Sequence, residues 1–212
     1  MTPSLLLIHG WGFGPAFWDA FRGALPEVPM MAADLGYFGP PSFLRLDGPV
    51  VVVGHSTGAL LALRSPPPDC MGLVAINGFD HFVALDGAAG VAPRLLDRMI
   101  TRLPQDPVAT VADFRRRCGD TSPFGLPEPT RLGEHLQLLR TADERQRAAT
   151  WTQPLLHLAG DRDPILPPEL RAQAFARAPR LAHASHAEAG HLLPVTHPEW
   201  CARQLRDWLH NL

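Results

Sequence analysis

One pentapeptide in the sequence has the residue types and spacing of a nucleophile turn: Gly54-His55-Ser56-Thr57-Gly58. It fits G-x-S-x-G, directly follows four valines and precedes a helical pattern, the strand–turn–helix setting in which that motif has mechanical meaning. A serine presented there sits in a strained turn, and Gly on both flanks lets neighbouring backbone pass close by. The hydroxyl then stands at the N-terminus of the next helix, whose dipole favours negative charge. A plain Gly-rich turn is the bland alternative, and the flanking patterns argue against it. A serine hydroxyl also needs a base. His191, in Ala189-Gly190-His191 just before the last helical pattern, is the candidate, and His183, His186 and His197 compete with it. His183 and His186 form an H-x-x-H, but no third ligand of suitable type stands nearby at standard spacing. Both are read as loop or surface residues, and no metal is expected. The base in turn needs a carboxylate that fixes its tautomer and stabilises the imidazolium. Gly160-Asp161-Arg162-Asp163-Pro164 supplies two, Asp161 and Asp163. Spacing does not choose between them, and either could be a turn or helix cap. The order Ser, acid, His along the chain is the one expected for an elbow serine. Two backbone N–H groups complete the set by holding the developing oxyanion. One is that of Thr57, after the nucleophile; the other is that of Trp11, in His9-Gly10-Trp11-Gly12. Losing one such donor raises a barrier by about 3–4 kcal/mol.

These residues need elements that place them. Short apolar runs at 5–8, 50–53, 73–76 and 155–159, each closed by Gly and polar residues, suit strands buried on both faces. Weaker candidates lie at 30–33 and 181–184. Helical patterns fall at 17–25, 57–64, 167–176 and 198–210, the third with Pro at its start, where a missing N–H does little harm. The alternation predicts an α/β fold, a doubly wound, mostly parallel sheet. Residues 79–152 break the rhythm: they offer no convincing buried strand but Arg-rich helical stretches at 93–103, 108–117 and 131–146. They are expected to form a helical insertion, a lid over one end of the sheet within a single domain spanning 1–212.

Composition bounds the rest. With 212 residues, 46% of them hydrophobic and 19% charged, the chain suits one ordinary globular core. A formal net charge of -2 leaves no basic footprint for nucleic acid. All 19 basic residues are Arg, for which genome composition is the plain explanation. Cys70, Cys118 and Cys201 are odd in number and far apart, which argues against a disulfide framework or structural zinc. The N-terminus lacks the basic and apolar regions of a signal peptide. No stretch approaches the roughly 20 apolar residues of a membrane span. A cytoplasmic monomer without membrane partners is the expectation.

At these motifs the chain resembles the α/β-hydrolase superfamily over nearly its whole length. In that family Gly-x-x-Asp-x-x-x-Pro carries the acid at its fourth position, which nominates Asp163 and makes Asp161 the runner-up. Asp34-Leu35-Gly36-Tyr37-Phe38-Gly39 is similar to the family's Asp-x-Pro-Gly-x-Gly turn. Within the superfamily, three segments resemble the pimeloyl-acyl carrier protein methyl ester esterases of biotin synthesis. They are His9-Gly10-Trp11-Gly12 with Phe17-Trp18; Leu132-Gly133 with Leu136, Leu139, Thr141-Ala142-Asp143 and Arg145; and 187–191 with His197-Pro198-Glu199 and Cys201. The resemblance implies cleavage of a methyl ester from an acyl group tethered to an acidic carrier protein, without metal or organic cofactor. The carrier would rest on the lid beside Arg94, Arg98, Arg102, Arg115, Arg116 and Arg117, because Arg suits carboxylate and phosphate. For any one of these arginines a solvated helical face is the ordinary explanation. Two departures stand out. The first strand reads as a central one, so the resemblance implies a sheet of six strands, without the family's two leading strands and shortened there. His55 stands where those esterases have an aromatic residue, which alters the pocket. Other hydrolases on this scaffold compete: a broad carboxylesterase, a thioesterase or a carbon–carbon bond hydrolase. A dehalogenase would need Asp at position 56, and a non-catalytic binding protein would not need the intact set of Ser, acid and His.

Overall fold

The computed structural model describes residues 3–43, 48–85 and 87–212. Its sheet contains β1 (Ser4–Ile8), β2 (Met30–Ala33), β3 (Val50–His55), β4 (Cys70–Ile76), β5 (Leu155–Gly160) and β6 (Leu181–His186). The order is β2-β1-β3-β4-β5-β6, and every neighbouring pair is parallel. The continuous apolar runs are the inner strands, and every residue of β3 and β5 is buried, as a sheet covered on both faces requires. The two weaker runs are the edges, largely half-buried or exposed. His183 and His186 therefore lie in an edge strand and not in a loop.

The chain leaves β1 toward one edge and β3 toward the other. The crevice beyond the carboxyl ends of those two strands is the topological switch point where open α/β sheets bind ligands. His9-Gly10-Trp11-Gly12 follows β1 and Ser56 follows β3, so strand order alone brings the expected oxyanion loop beside the expected nucleophile.

The helices are α1 (Asp19–Gly23), preceded by a 3-10 turn at Pro15–Trp18, then α2 (Thr57–Arg64), α3 (Pro93–Arg102), α4 (Pro107–Cys118), α5 (Pro129–Thr141), α6 (Arg145–Ala149), α7 (Pro168–Gln173), α8 (Leu193–Thr196) and α9 (Pro198–Leu209). Pro93, Pro107, Pro129, Pro168 and Pro198 each open a helix, which is where much of the proline goes. α1, α8 and α9 pack together, while α2 packs on β3, β4 and α6. Helices α3 to α6 all fall between β4 and β5. Three expected helices are shorter than their patterns. The stretch 17–25 is shared between the 3-10 turn and α1. Residues 131–146 divide because Ala142 turns extended and Asp143 bridges back to His81. The stretch 167–176 stops at Gln173 because Phe175 takes a left-handed φ of 57° and gives its N–H to the Asp80 carboxylate. Among the described residues no helix is long and apolar enough to cross a membrane.

One buried residue of the sheet sets an acid limit on stability. His157 of β5 lies against Phe175 and His183, and neither ring nitrogen has a hydrogen-bond partner among the described residues. Burial, and secondarily the nearby His183, lowers its pKa to about 3. A depressed folded pKa gives stability that is complete above the unfolded value and lost as pH falls. Below about pH 6.5 only the unfolded chain takes the proton, at about 1.4 kcal/mol per pH unit. His157→Leu should therefore retain about 2–3 kcal/mol more of its neutral-pH stability at pH 4.5 than the parent does. Urea melts at pH 7.5 and 4.5 measure this, and equal losses in both proteins would refute it.

Candidate active site

Ser56 sits at the sharpest point of the β3–α2 turn, with φ 51° and ψ -120°. Few non-glycine residues hold such a conformation, and the strain costs about 1–3 kcal/mol that the surrounding fold must offset. The two glycines explain how. A Cβ on Gly54 would lie 2.5 Å from the backbone of Ala59, and one on Gly58 would lie 2.1 Å from the Ile8 carbonyl oxygen. The turn is tight because α2 starts against both its own strand and the end of β1. The Ser56 N–H donates to the Ile76 carbonyl at 3.0 Å. Its hydroxyl does not cap α2 and has no partner among the described residues.

His191 follows β6 on a loop and is fully buried. Its Nδ1 donates to Oδ2 of Asp163 at 2.7 Å. The other oxygen of Asp163 accepts from the N–H groups of Ile165 at 2.7 Å and Leu166 at 3.1 Å. Burial works to raise the Asp163 pKa. The charge and hydrogen bond of His191 and those two N–H groups prevail, holding it below the ordinary carboxylate value. With Nδ1 committed to the carboxylate, Nε2 is left buried and without a partner among the described residues. Asp161 is exposed and accepts from Ser185 instead, at 3.3 Å. The rings of His186 and His197 lie 4.2 Å apart, tilted by 46°, and His183 lies beside His157. Among the described residues no group of three or more His, Cys, Asp or Glu is placed to hold a metal.

The loop after β1 is fixed from both ends. His9 donates from Nδ1 to the Gly10 carbonyl at 3.0 Å and accepts the Leu35 N–H on Nε2 at 3.1 Å. The Trp11 indole donates to the Leu132 carbonyl in α5 at 2.9 Å. Neither the Trp11 nor the Thr57 backbone N–H meets an acceptor among the described residues. Both residues line a cavity with Ser56, whose walls include Met99 of α3, Phe114 of α4 and Leu136 of α5. Its free space is about 30 Å³, enough to hold water.

Residues 5–204 match the alpha/beta hydrolase family. The chain belongs to that family. It is 28% identical over 243 aligned residues to the pimeloyl-[acyl-carrier protein] methyl ester esterase of Aromatoleum aromaticum, covering 97% of each protein. It is 27% identical to the biotin biosynthesis bifunctional protein BioHC of Cellvibrio japonicus, where 99% of this chain covers 48% of that protein. The chain thus spans about half the length of that bifunctional relative. Among solved structures, an esterase from Exiguobacterium antarcticum superposes with a TM-score of 0.84 at 16% identity, covering 98% of this chain and 92% of that one. At that identity the likeness speaks for the hydrolase fold.

Within this hydrolase the six arginines of α3 and α4 singled out in the sequence do not form one surface. Arg115 departs from expectation: it is buried, its Nε donates to Asp120 at 2.8 Å, and its guanidinium lies 5.2 Å from the Phe13 ring centre and 5.0 Å from that of Phe124. It holds the α4 terminus together and cannot reach a docked partner. Arg102 and Arg116 share Asp113. Arg94, Arg98 and Arg117 are exposed and have no ion pair among the described residues. Sequence reasoning missed Asn77, whose side chain reaches Gly160, Gly190 and His191. The pair Asn77-Gly78 was visible only as a strand end. Phe114 was missed as well. It faces Trp11 edge-on at 5.0 Å, but nothing distinguishes it in sequence from other apolar helix residues.

Proposed function

We propose that the chain is a serine carboxylic ester hydrolase whose substrate is the methyl ester of an acyl group carried on an acyl carrier protein, as in biotin synthesis. The observation that carries the chemistry is the buried Asp163–His191 pair, which leaves Nε2 of His191 without a partner among the described residues, on a ring that faces Phe114 edge-on at 6.5 Å, and Phe114 lines the cavity of the strained Ser56. Ser56 Oγ attacks the ester carbonyl while Nε2 of His191 takes its proton. The oxyanion rests on the N–H groups of Trp11 and Thr57. The alcohol leaves with the proton from His191. Water activated by the same nitrogen then frees the acid and restores Ser56. Asp163 stays ionised throughout, and no step calls for a metal or an organic cofactor.

A fold does not choose a substrate. Two things favour the carrier-borne ester. The Aromatoleum aromaticum relative is an esterase of that kind, and the Cellvibrio japonicus relative is a biotin biosynthesis protein. In addition, a crevice of about 170 Å³ between α3 and α4 shares Leu95, Met99, Phe114 and Arg117 with the Ser56 cavity and has Arg98 at its side. In this reading α3 and α4 are the moving part of a lid, and an acidic carrier rests on Arg94, Arg98 and Arg117 while its acyl chain passes between the helices. The enzyme acts as a cytoplasmic monomer. The test is acid release from a pimeloyl-carrier-protein methyl ester, alongside p-nitrophenyl acetate and butyrate. Arg94→Glu with Arg98→Glu should raise KM for the carrier ester about tenfold, about 1.4 kcal/mol of binding, and leave the small esters unchanged. Turnover of the small esters alone would make this a general carboxylesterase with the same machinery.

A further inference from the structure

We propose that His55 and Asn77 are positioning residues that hold the backbone of His191, so that the ring of the base is aimed from two sides. The proposal rests on the serine-hydrolase reading and deepens it.

Two hydrogen bonds meet on the His191 carbonyl, and two more tie Asn77 to Gly190 and Gly160. Nε2 of His55 lies 2.8 Å from the His191 carbonyl oxygen. A carbonyl only accepts, so Nε2 carries the proton and donates. Nδ2 of Asn77 donates to the same oxygen at 2.8 Å and to the Gly190 carbonyl at 3.0 Å. The two lone pairs of the His191 carbonyl are thereby filled, one from each residue. Oδ1 of Asn77 accepts the Gly160 N–H at 2.8 Å. Gly160 ends β5 and leads into the loop of Asp163, so one amide ties the acid's loop to the base's loop. All the hydrogen-bonding capacity of the Asn77 amide that matters for this tie is used, and its orientation admits no exchange of O and N. The backbone of Asn77 reinforces the reading. Its φ is 45°, a left-handed conformation that Asn tolerates better than most residues, and its N–H donates to Leu158 of β5.

His55 contributes from the opposite side. Its fully buried ring lies 4.4 Å from that of Phe17 and 4.8 Å from that of His191, and it also touches Gly10 of the oxyanion loop. Burial, then the neighbouring His191, holds it neutral, so it adds no positive charge beside an imidazolium forming on His191. The variable position of G-x-S-x-G thus has a definite task here. It lies next to the nucleophile in sequence, its ring packs on the oxyanion loop, and its donor reaches the base.

The test uses His55→Phe, which keeps a ring but removes the donor, and Asn77→Gly, which keeps the left-handed backbone but removes the amide. His55→Gln restores a donor. Competent enzyme is counted by fluorophosphonate labelling of Ser56, and kcat and KM for p-nitrophenyl butyrate are measured across pH. Misplacement of a catalytic group by about 1 Å costs about 100-fold. The expectation is a kcat per labelled site 10- to 100-fold lower in His55→Phe and Asn77→Gly, with KM within threefold. The far-downfield proton signal of the His191–Asp163 hydrogen bond should broaden or shift, and His55→Gln should recover part of the loss. Unchanged kcat per labelled site with an unchanged signal, even with a lower Tm, overturns the proposal. If the parent fails to label or to turn over, the hydrolase reading itself is wrong, whereas the proton signal still reports whether His55 and Asn77 position His191.

Discussion

Ser56→Ala is expected to lower kcat for p-nitrophenyl butyrate by about 10⁴- to 10⁶-fold, the range in which loss of a nucleophile removes the whole covalent route. The expectation is sharp because the substitution leaves little else to change. The hydroxyl has no partner among the described residues, so no hydrogen bond is orphaned. Alanine keeps the Cβ, so the strain at φ 51° is neither relieved nor increased. Tm should stay within a few degrees, and fluorophosphonate labelling should vanish. Ser56→Gly extends the argument. It loses the same activity, but glycine accepts the positive φ freely, so part of the 1–3 kcal/mol held in the turn is returned and Tm should rise. Turnover surviving in either variant would place the nucleophile elsewhere.

What could be seen in advance follows from which forces are local. β1, β3, β4 and β5 were legible because strands covered on both faces read as near-continuous apolar runs, His157 of β5 being the polar exception within them. β2 and β6 were faint because an edge strand needs no such run: β6 shows His183, Ser185 and His186 with much of its length exposed. The G-x-S-x-G turn was legible because its pattern marks the steric demand directly, although that demand comes from Ala59 for Gly54 and from Ile8 of β1 for Gly58. The ends of α5 and α7 were not, because they are set by distant partners: His81 meeting Asp143, and the Asp80 carboxylate taking the Phe175 N–H. Nor was the fate of the arginines in α3 and α4. Only the folded α4 terminus shows that Arg115 turns inward to Asp120 while Arg117, two residues on, stays outside. Asn77 was hidden for the same reason, since its three side-chain partners lie more than 80 residues away.

The choice of acid is the other place where spacing ran out, and it yields the second large expected effect. Asp163→Asn should lower kcat about 10⁴-fold, while Asp161→Asn should stay within twofold of the parent. The structure gives the reason. Oδ1 of residue 163 faces two backbone donors, the N–H groups of Ile165 and Leu166, and an asparagine will place its carbonyl oxygen there. Its NH2 then faces Nδ1 of His191, and two donors cannot share that bond. To accept from the amide, His191 must give up its Nδ1 proton and carry it on Nε2 instead. The ring stays in place, but the nitrogen meant to take the proton of Ser56 already holds one. Asp161 offers no such conflict, since among the described residues its exposed carboxylate meets only Ser185. Kinetics on p-nitrophenyl butyrate for both variants, each with its melting curve, separate the two carboxylates. Equal losses in both, or an Asp163→Asn enzyme within tenfold of the parent, would mean that the 2.7 Å bond to His191 does not set the tautomer on which turnover depends.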